Sequence, residues 1–203
     1  MESSSVQIRM VAARRFAQQG FEATSLQAIA DEVGISKPSL LYHYPSKEVL
    51  RRAVLDDLFE HWRRTLPQLL QHVTSGEARF EALTEELIRF FRSDPNRARL
   101  IVREFMDRPE EIRRDISGNL HTWIALVAEY IRKGRKTGEL HADVDPEAYV
   151  LHVIVLVVTT IAALPIVVAA LGDDGRPAQE RHMLELVRLA RTGPDTQTGS
   201  SIP

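Results

Sequence analysis

The sequence predicts an all-α protein: a three-helix domain with a helix-turn-helix at the N-terminus, then a larger helical domain, about nine helices in all. Three observations carry this. Apolar residues recur at three- and four-residue spacing through most of the 203 residues, and nowhere alternate as they would along a half-buried strand. Capping residues, Pro and Gly punctuate those stripes. Between Leu26 and Tyr44 two short apolar stripes are separated by little more than a glycine, the pattern of two helices joined by a tight turn.

The first helix is expected from Val6 to Gln19. Ile8, Val11, Ala12 and Phe16 share one face, and Arg9, Arg14 and Arg15 lie off it, where solvent is the expected environment. Gly20 and Phe21 suit a Schellman ending with its apolar contact. Thr24 and Gln27 have capping-box spacing, so a second helix is expected to start near Ser25, with Leu26, Ile29, Ala30 and Val33 on its buried face. Ala30 is small enough for another helix to cross closely. Gly34 can end this helix in the left-handed conformation, which a Cβ would penalise. Ser36 is a candidate N-cap for a third helix, Pro38 fits its first turn, and Leu40, Leu41 and Tyr44 form its apolar side. The remaining residues here are Ser36, Lys37, Pro38, Ser39, Tyr42 and His43, with Lys47 just beyond. They are donors and small contact residues, and free N–H groups at a helix start favour phosphate.

The stretch GFEATSLQAIADEVGISKPSLLYHYPSKEVL, Gly20 to Leu50, resembles the DNA-binding segment of TetR-family transcriptional regulators along almost its whole length. It departs at one place: the family often has Tyr directly after the residue equivalent to Leu40, whereas here that residue is Leu41 and Tyr42 follows. The resemblance implies a repressor that binds a palindromic site on double-stranded DNA as a homodimer and responds to a small-molecule effector. On that basis Lys37 is placed to donate to guanine O6 and N7, Ser39 to a base or phosphate, and Pro38 to touch a thymine methyl, with Ser36 on the same surface. Thr24, Ser25, Tyr42 and Lys47 are expected to hold phosphates, and His43 to do either. The competing reading is a helical small-molecule-binding or membrane-associated protein whose hairpin only packs.

Ser46 caps a long helix through KEVLRRAVLDDLFEHWRRTLPQLLQHV, which Pro67 is expected to kink or break. It connects a DNA-binding domain over residues 1–50 to an effector-binding and dimerisation domain over 51–192, and the Gly/Ser/Thr-rich tail 193–203 is expected to be disordered. Phe80, Leu83, Leu87, Phe90 and Phe91 mark the next helix. Asp94-Pro95 and Asp145-Pro146 are each an N-cap with Pro at the first helical position. Between them, Ala98 to Phe105 and Ile112 to Ile131 give two more stripes, the second with Gly118-Asn119 as a candidate interruption and Gly138 as its end. A last helix is expected over Pro177–Arg191.

Ala148 to Leu171 contains no Asp, Glu, Lys or Arg and is long enough to cross a bilayer, for which about 20 apolar residues suffice. His152, Thr159-Thr160, Pro165 and acidic flanks oppose that reading, and a helix apolar all round can be buried all round. The resemblance supplies the soluble alternative. In the TetR family the last two helices of each subunit form a four-helix dimer interface, so helices around 148–171 and 177–191 are expected to pair in a homodimer, with no membrane. It also implies an effector pocket, for which Phe90, Phe91, Phe105, Trp123, Tyr130, Tyr149 and His152 are candidate lining, and hence a small, largely apolar effector. His152 stands out because a polar group in an apolar helix needs a partner: a side chain, a water, the dimer mate or a polar group of a ligand.

Composition narrows the chemistry. The net charge is −2, and in the first fifty residues Arg9, Arg14, Arg15, Lys37 and Lys47 are matched by Glu2, Glu22, Asp31, Glu32 and Glu48. A DNA site therefore rests on a few placed cations, not on a basic tail. There is no cysteine, and MESSSVQIRM lacks an apolar signal core, which fits a cytoplasmic protein. The seven histidines never pair at four-residue spacing, His141 and Asp143 read as solvated loop residues, and the phosphate-binding and nucleophile-turn motifs are absent. No metal, cofactor or catalytic residue is expected, and the chain reads as a regulator, not an enzyme.

Overall fold

The computed structural model describes residues 4–72, 76–136, 145–171 and 178–192, and every regular element among them is an α-helix. They are α1 (Ser4–Gln19), α2 (Leu26–Val33), α3 (Lys37–His43), α4 (Lys47–His72), α5 (Gly76–Ser93), α6 (Pro95–Asp107), α7 (Pro109–Lys136), α8 (Pro146–Ala162), α9 (Leu164–Leu171) and α10 (Ala178–Thr192). Gly138, His141, Asp143 and the tail 193–203 lie outside the described residues.

The local signals set most of the boundaries. Ser36, Ser46, Asp94 and Asp145 each accept a backbone N–H at the start of their helix, from Ser39, Val49, Asn96 and Ala148. Gly34 has φ 80° and donates to the Ala30 and Asp31 carbonyls, and Ile35 N–H returns to Ala30, which completes a Schellman ending. Gly20, at φ 87°, makes the simpler single bond to Phe16. The cap of α2 is Ser25, not Thr24: Ser25 Oγ accepts from Ala28 N–H.

Three interruptions differ from expectation. α4 runs unbroken through Pro67, although the ring removes one ladder bond, because Leu66 and Leu70 on either side are buried against Val127, Ile131 and Val150. α7 likewise continues through Gly118-Asn119. The uncharged run from Ala148, by contrast, is two helices bent by 70°. Pro165 cannot donate to continue the α8 ladder, so Ile166 and Val167 bond to Ala163 and α9 starts afresh. No single described helix is long and apolar enough to cross a membrane.

One core cluster gathers Ile8, Ala12 and Phe16 of α1, Ile29 and Ala30 of α2, Leu40 of α3 and Leu50, Val54, Leu55 and Phe59 of α4. It also takes in Leu100 of α6 and Ile112 of α7, so packing continues past residue 50 into the body of the protein. A second cluster joins α5, α6, α8, α9 and α10, and a third joins α4, α7 and α8.

Between the first cluster and the body lies an ion pair. Arg51 of α4 is 5% exposed and Glu104 of α6 is 3% exposed. The Arg51 guanidinium donates twice to one carboxylate oxygen, Nε at 2.8 Å and a terminal nitrogen at 2.5 Å. Two charges this deep are tolerable only together, since removing one leaves the other desolvated and unpaired. Glu104→Ala should therefore lower stability by about 3–5 kcal/mol in denaturant unfolding, whereas Arg51→Met with Glu104→Leu should recover most of that loss.

Candidate functional site

The helix-turn-helix turns one set of side chains inward and another outward. Leu40 and Tyr44 are buried, and the Tyr44 hydroxyl donates to Ser5 carbonyl at 3.2 Å while accepting from Arg9 at 2.8 Å. Ser25, Ser36, Lys37, Pro38, Ser39, Tyr42 and His43 are exposed. Ser36 and Ser39 hydroxyls are 2.8 Å apart, so the cap also orients Ser39. Tyr42 is 86% exposed, its ring edge-on to His43 with centroids 5.6 Å apart.

Two residues expected on this surface are occupied elsewhere. The Thr24 side chain is turned inward, and its hydroxyl donates to Gly20 carbonyl at 2.7 Å. Lys47 Nζ donates to the carbonyls of Phe21, Thr24 and Glu22 at 2.8, 3.1 and 3.4 Å, and lies 4.3 Å from the Phe21 ring centroid. The reason is local: the short α1–α2 connection leaves carbonyls without helical partners, and a lysine at the start of α4 reaches them. The α1 arginines are not merely solvated either. Arg9 pairs with Asp57 at 2.5 Å, and Arg14 and Arg15 both pair with Glu32. Of the five cations in the first fifty residues, only Lys37 makes no hydrogen bond or ion pair among the described residues.

Deeper in the body is a cavity of about 150 Å³. α4 contributes Leu58, Phe59, Trp62 and Leu66; α5, Leu83, Thr84, Leu87, Phe90 and Phe91; and α6, Ile101 and Phe105. Trp123, Ile124 and Val127 of α7 and Val150, Val153, Ile154 and Val158 of α8 close it. Of the candidate residues, Phe90, Phe91, Phe105 and Trp123 line this cavity. Tyr149 is not in the wall; it packs half-buried beside it, where burial pushes its hydroxyl pKa up to about 12. The Tyr130 side chain lies outside the described residues. His152 is exposed, because α8 turns Val150, Val153, Val157 and Val158 inward and leaves Leu151, His152 and Val155 outside. The other wall residues, the four on α4 among them, are not among the candidates. Their apolar spacing is visible in the sequence, but periodicity alone does not separate a cavity wall from a filled core.

The exposed side of α8, α9 and α10 mixes apolar side chains that reach solvent, Leu151, Val155, Ile166, Leu184 and Leu189, with His152 and Thr159 of α8 and the Glu180, Glu185 and Arg188 charges of α10. Val157 is 0% exposed and belongs to the second core cluster of the chain.

The described residues thus set a helix-turn-helix with an exposed, donor-bearing second helix on a helical body around an apolar cavity. Residues 8–54 match the bacterial regulatory proteins of the tetR family, and residues 98–178 match the tetracyclin repressor-like C-terminal domain. The chain belongs to the TetR family of transcriptional regulators. It is 31% identical over 136 residues to the HTH-type transcriptional regulator RutR of Escherichia coli (strain K12), a match that spans 65% of this chain and 61% of RutR. Its fold resembles the ketosteroid transcriptional regulator KstR2 of Mycobacterium tuberculosis, with a TM-score of 0.75 at 16% identity over 97% of both chains. It also resembles AibR, solved in complex with isovaleryl coenzyme A and operator DNA, with a TM-score of 0.73 at 22% identity over 95% of this chain and all 100% of that one.

The Lys47 geometry has a direct consequence for stability. Lys47→Ala strips a charged donor from three carbonyls and should lower stability by about 1–2 kcal/mol, read as a reduced midpoint in thermal unfolding. An unchanged midpoint would show that the ammonium does not cap the α1–α2 connection.

Proposed function

We propose that the chain is a ligand-responsive DNA-binding repressor that holds a palindromic operator as a homodimer and leaves it when a small, largely apolar effector fills the cavity. One observation carries this reading: α4 and α6, which wall the cavity through Leu58, Trp62, Ile101 and Phe105, are the same helices that Arg51 and Glu104 lock together beneath the helix-turn-helix. AibR, of the same fold, was solved with both a small ligand and operator DNA, which supports a ligand and a DNA site on one such chain.

In this reading α3 enters the major groove by its N-terminal end. Lys37 donates to guanine, Pro38 and Ser39 make the neighbouring base contacts, and Ser25, Ser36, Tyr42 and His43 serve the phosphates or flanking bases. Thr24 and Lys47 hold the unit together instead of touching phosphate. Residues 1–50 act as the DNA-binding unit, 51–192 bind effector and dimerise, and the chain works in the cytoplasm. The exposed side of α8, α9 and α10 meets its mate, which sets the two recognition helices about 34–36 Å apart for successive grooves. An effector acts only through a difference in affinity: it must bind the arrangement of α4 and α6 that misplaces α3 more tightly than the one that fits DNA. Bound operator then weakens effector binding by the same factor, a coupling of about 1–3 kcal/mol.

Selection of duplexes from a random library, followed by binding at several salt concentrations, tests the DNA assignment. Lys37→Ala should relax preference at one base position per half-site, and Tyr42→Phe should leave sequence preference unchanged. If Lys37→Ala preserves both affinity and preference, α3 is not the reading helix. For assembly, Val155→Arg and Leu184→Arg should each give a folded monomer in sedimentation, because a charge in the interface would be buried unpaired. Val157→Arg should instead unfold the subunit, since that side chain points into its own core. Wild-type chain sedimenting as a monomer at micromolar concentration would overturn the dimer.

A further inference from the structure

We propose that the cavity takes an uncharged, hydrocarbon-like ring compound of about six to ten non-hydrogen atoms, and rejects carboxylates and ammonium ions. Its regulatory meaning rests on the effector reading above; the ligand class itself rests on the wall. Size sets the first limit. The cavity holds about 150 Å³, and an apolar cavity of about that volume lined by Leu, Ile and Phe stays dry and binds benzene.

Charge sets the second. Among the described residues, Thr84 is the one hydroxyl in the wall, the indole N–H groups of Trp62 and Trp123 are its other polar side-chain atoms, and no Lys, Arg, His, Asp or Glu lines it. Three charged groups close to the wall have partners of their own. Glu104, next to Phe105, is held by Arg51. Glu86, next to Leu87, is held by His61 at 3.0 Å and by Arg89. Arg97 lies 4.4 Å from the Phe90 ring centroid and donates to the Phe90 carbonyl. An ion entering the cavity would lose its water and meet no counter-charge. A ring, by contrast, meets rings already set at an angle to one another: Trp62 edge-on to Phe90 at 5.5 Å between centroids, and Phe59 tilted on Trp123 at 6.1 Å. Thr84 adds room for one hydroxyl on the ligand, which can donate to a lone pair of the Thr84 oxygen.

The chain carries its own reporter. It has two tryptophans, Trp62 and Trp123, and both line the cavity. Intrinsic fluorescence of the full chain therefore reads cavity occupancy without DNA. The probes are toluene, benzyl alcohol, benzoate and benzylammonium, which share a ring and differ at one substituent. Toluene and benzyl alcohol should give saturable changes, with benzoate and benzylammonium at least about tenfold weaker. Thr84→Val should remove any advantage of benzyl alcohol over toluene. Val153→Phe should abolish toluene binding by filling the space; if that variant fails to fold, the comparison among the four probes on the wild-type chain still decides. Charged probes that bind as well as toluene, or neutral probes that give no saturable change, overturn the proposal. Toluene that saturates the fluorescence but leaves DNA binding untouched supports the ligand class and overturns the regulatory reading instead.

Discussion

The Arg51–Glu104 pair fixes how the two ends of this molecule face each other. Each partner is buried on a different helix, and neither charge can be left alone there, so separating α4 from α6 at this point costs more than the loss of apolar contact. The rest of the junction is built around it. Arg103, one residue before Glu104, reaches the other way and donates to the Ala17 and Gln18 carbonyls at the end of α1, at 2.9 and 3.1 Å. Arg108, just past α6, lies 4.3 Å from the Phe21 ring centroid and pairs with Glu22. α6 thus closes the open end of α1 while its carboxylate holds α4. The helix-turn-helix sits on α6 as much as it continues into α4.

That arrangement explains why a cavity immediately below the pair is well placed to matter. A dense core transmits a displacement instead of absorbing it. Leu58 and Trp62 lie two and three turns beyond Arg51 on α4, and Ile101 and Phe105 flank Glu104 on α6. A molecule that pushes these walls apart works against an ion pair that tolerates little stretching. The sequence suggested a simple rod, α4, as the link between domains. The structure adds a second member, and two helices held at one point define an angle, where a single rod defines only a length.

What was legible in the sequence was local. The caps at Ser36, Ser46, Asp94 and Asp145 and the glycine turn at Gly34 each depend on a few consecutive residues, and each formed as read. What was not legible was partnership. Arg51 and Glu104 are 53 residues apart, and on its own helix each looks like an ordinary solvated charge. Lys47 was read by its neighbourhood in the sequence as a phosphate ligand, but its ammonium found three carbonyls from the other side of the motif. His152 is a different case, since its partner could be a side chain, a water, a dimer mate or a ligand. In a run without charges it looked like a buried polar group in need of a partner, yet the inward positions of α8 are the valines beside it, and the histidine lies on the outer face. Periodicity identifies a face; it does not say what the face meets.

The distribution of charge bears on why a protein like this would work as a pair. The whole chain is slightly acidic, and four of the five cations in its first fifty residues are spent on Asp57, Glu32 and the α1–α2 carbonyls. Each recognition helix is left with Lys37 and a few hydroxyl and ring donors. Counterion release from so few contacts supports only weak, sequence-independent binding. In the proposed regulator the remedy is geometric: once one helix is seated, the second meets its half-site at the high effective concentration set by the dimer, without any added contact. Affinity then depends steeply on the spacing between the two helices, because contacts that cannot form together lose that gain entirely. In this reading a helix-turn-helix with one unpaired cation among its described residues is easier to release by a small change in angle at the α4–α6 junction than one that could hold DNA by charge alone.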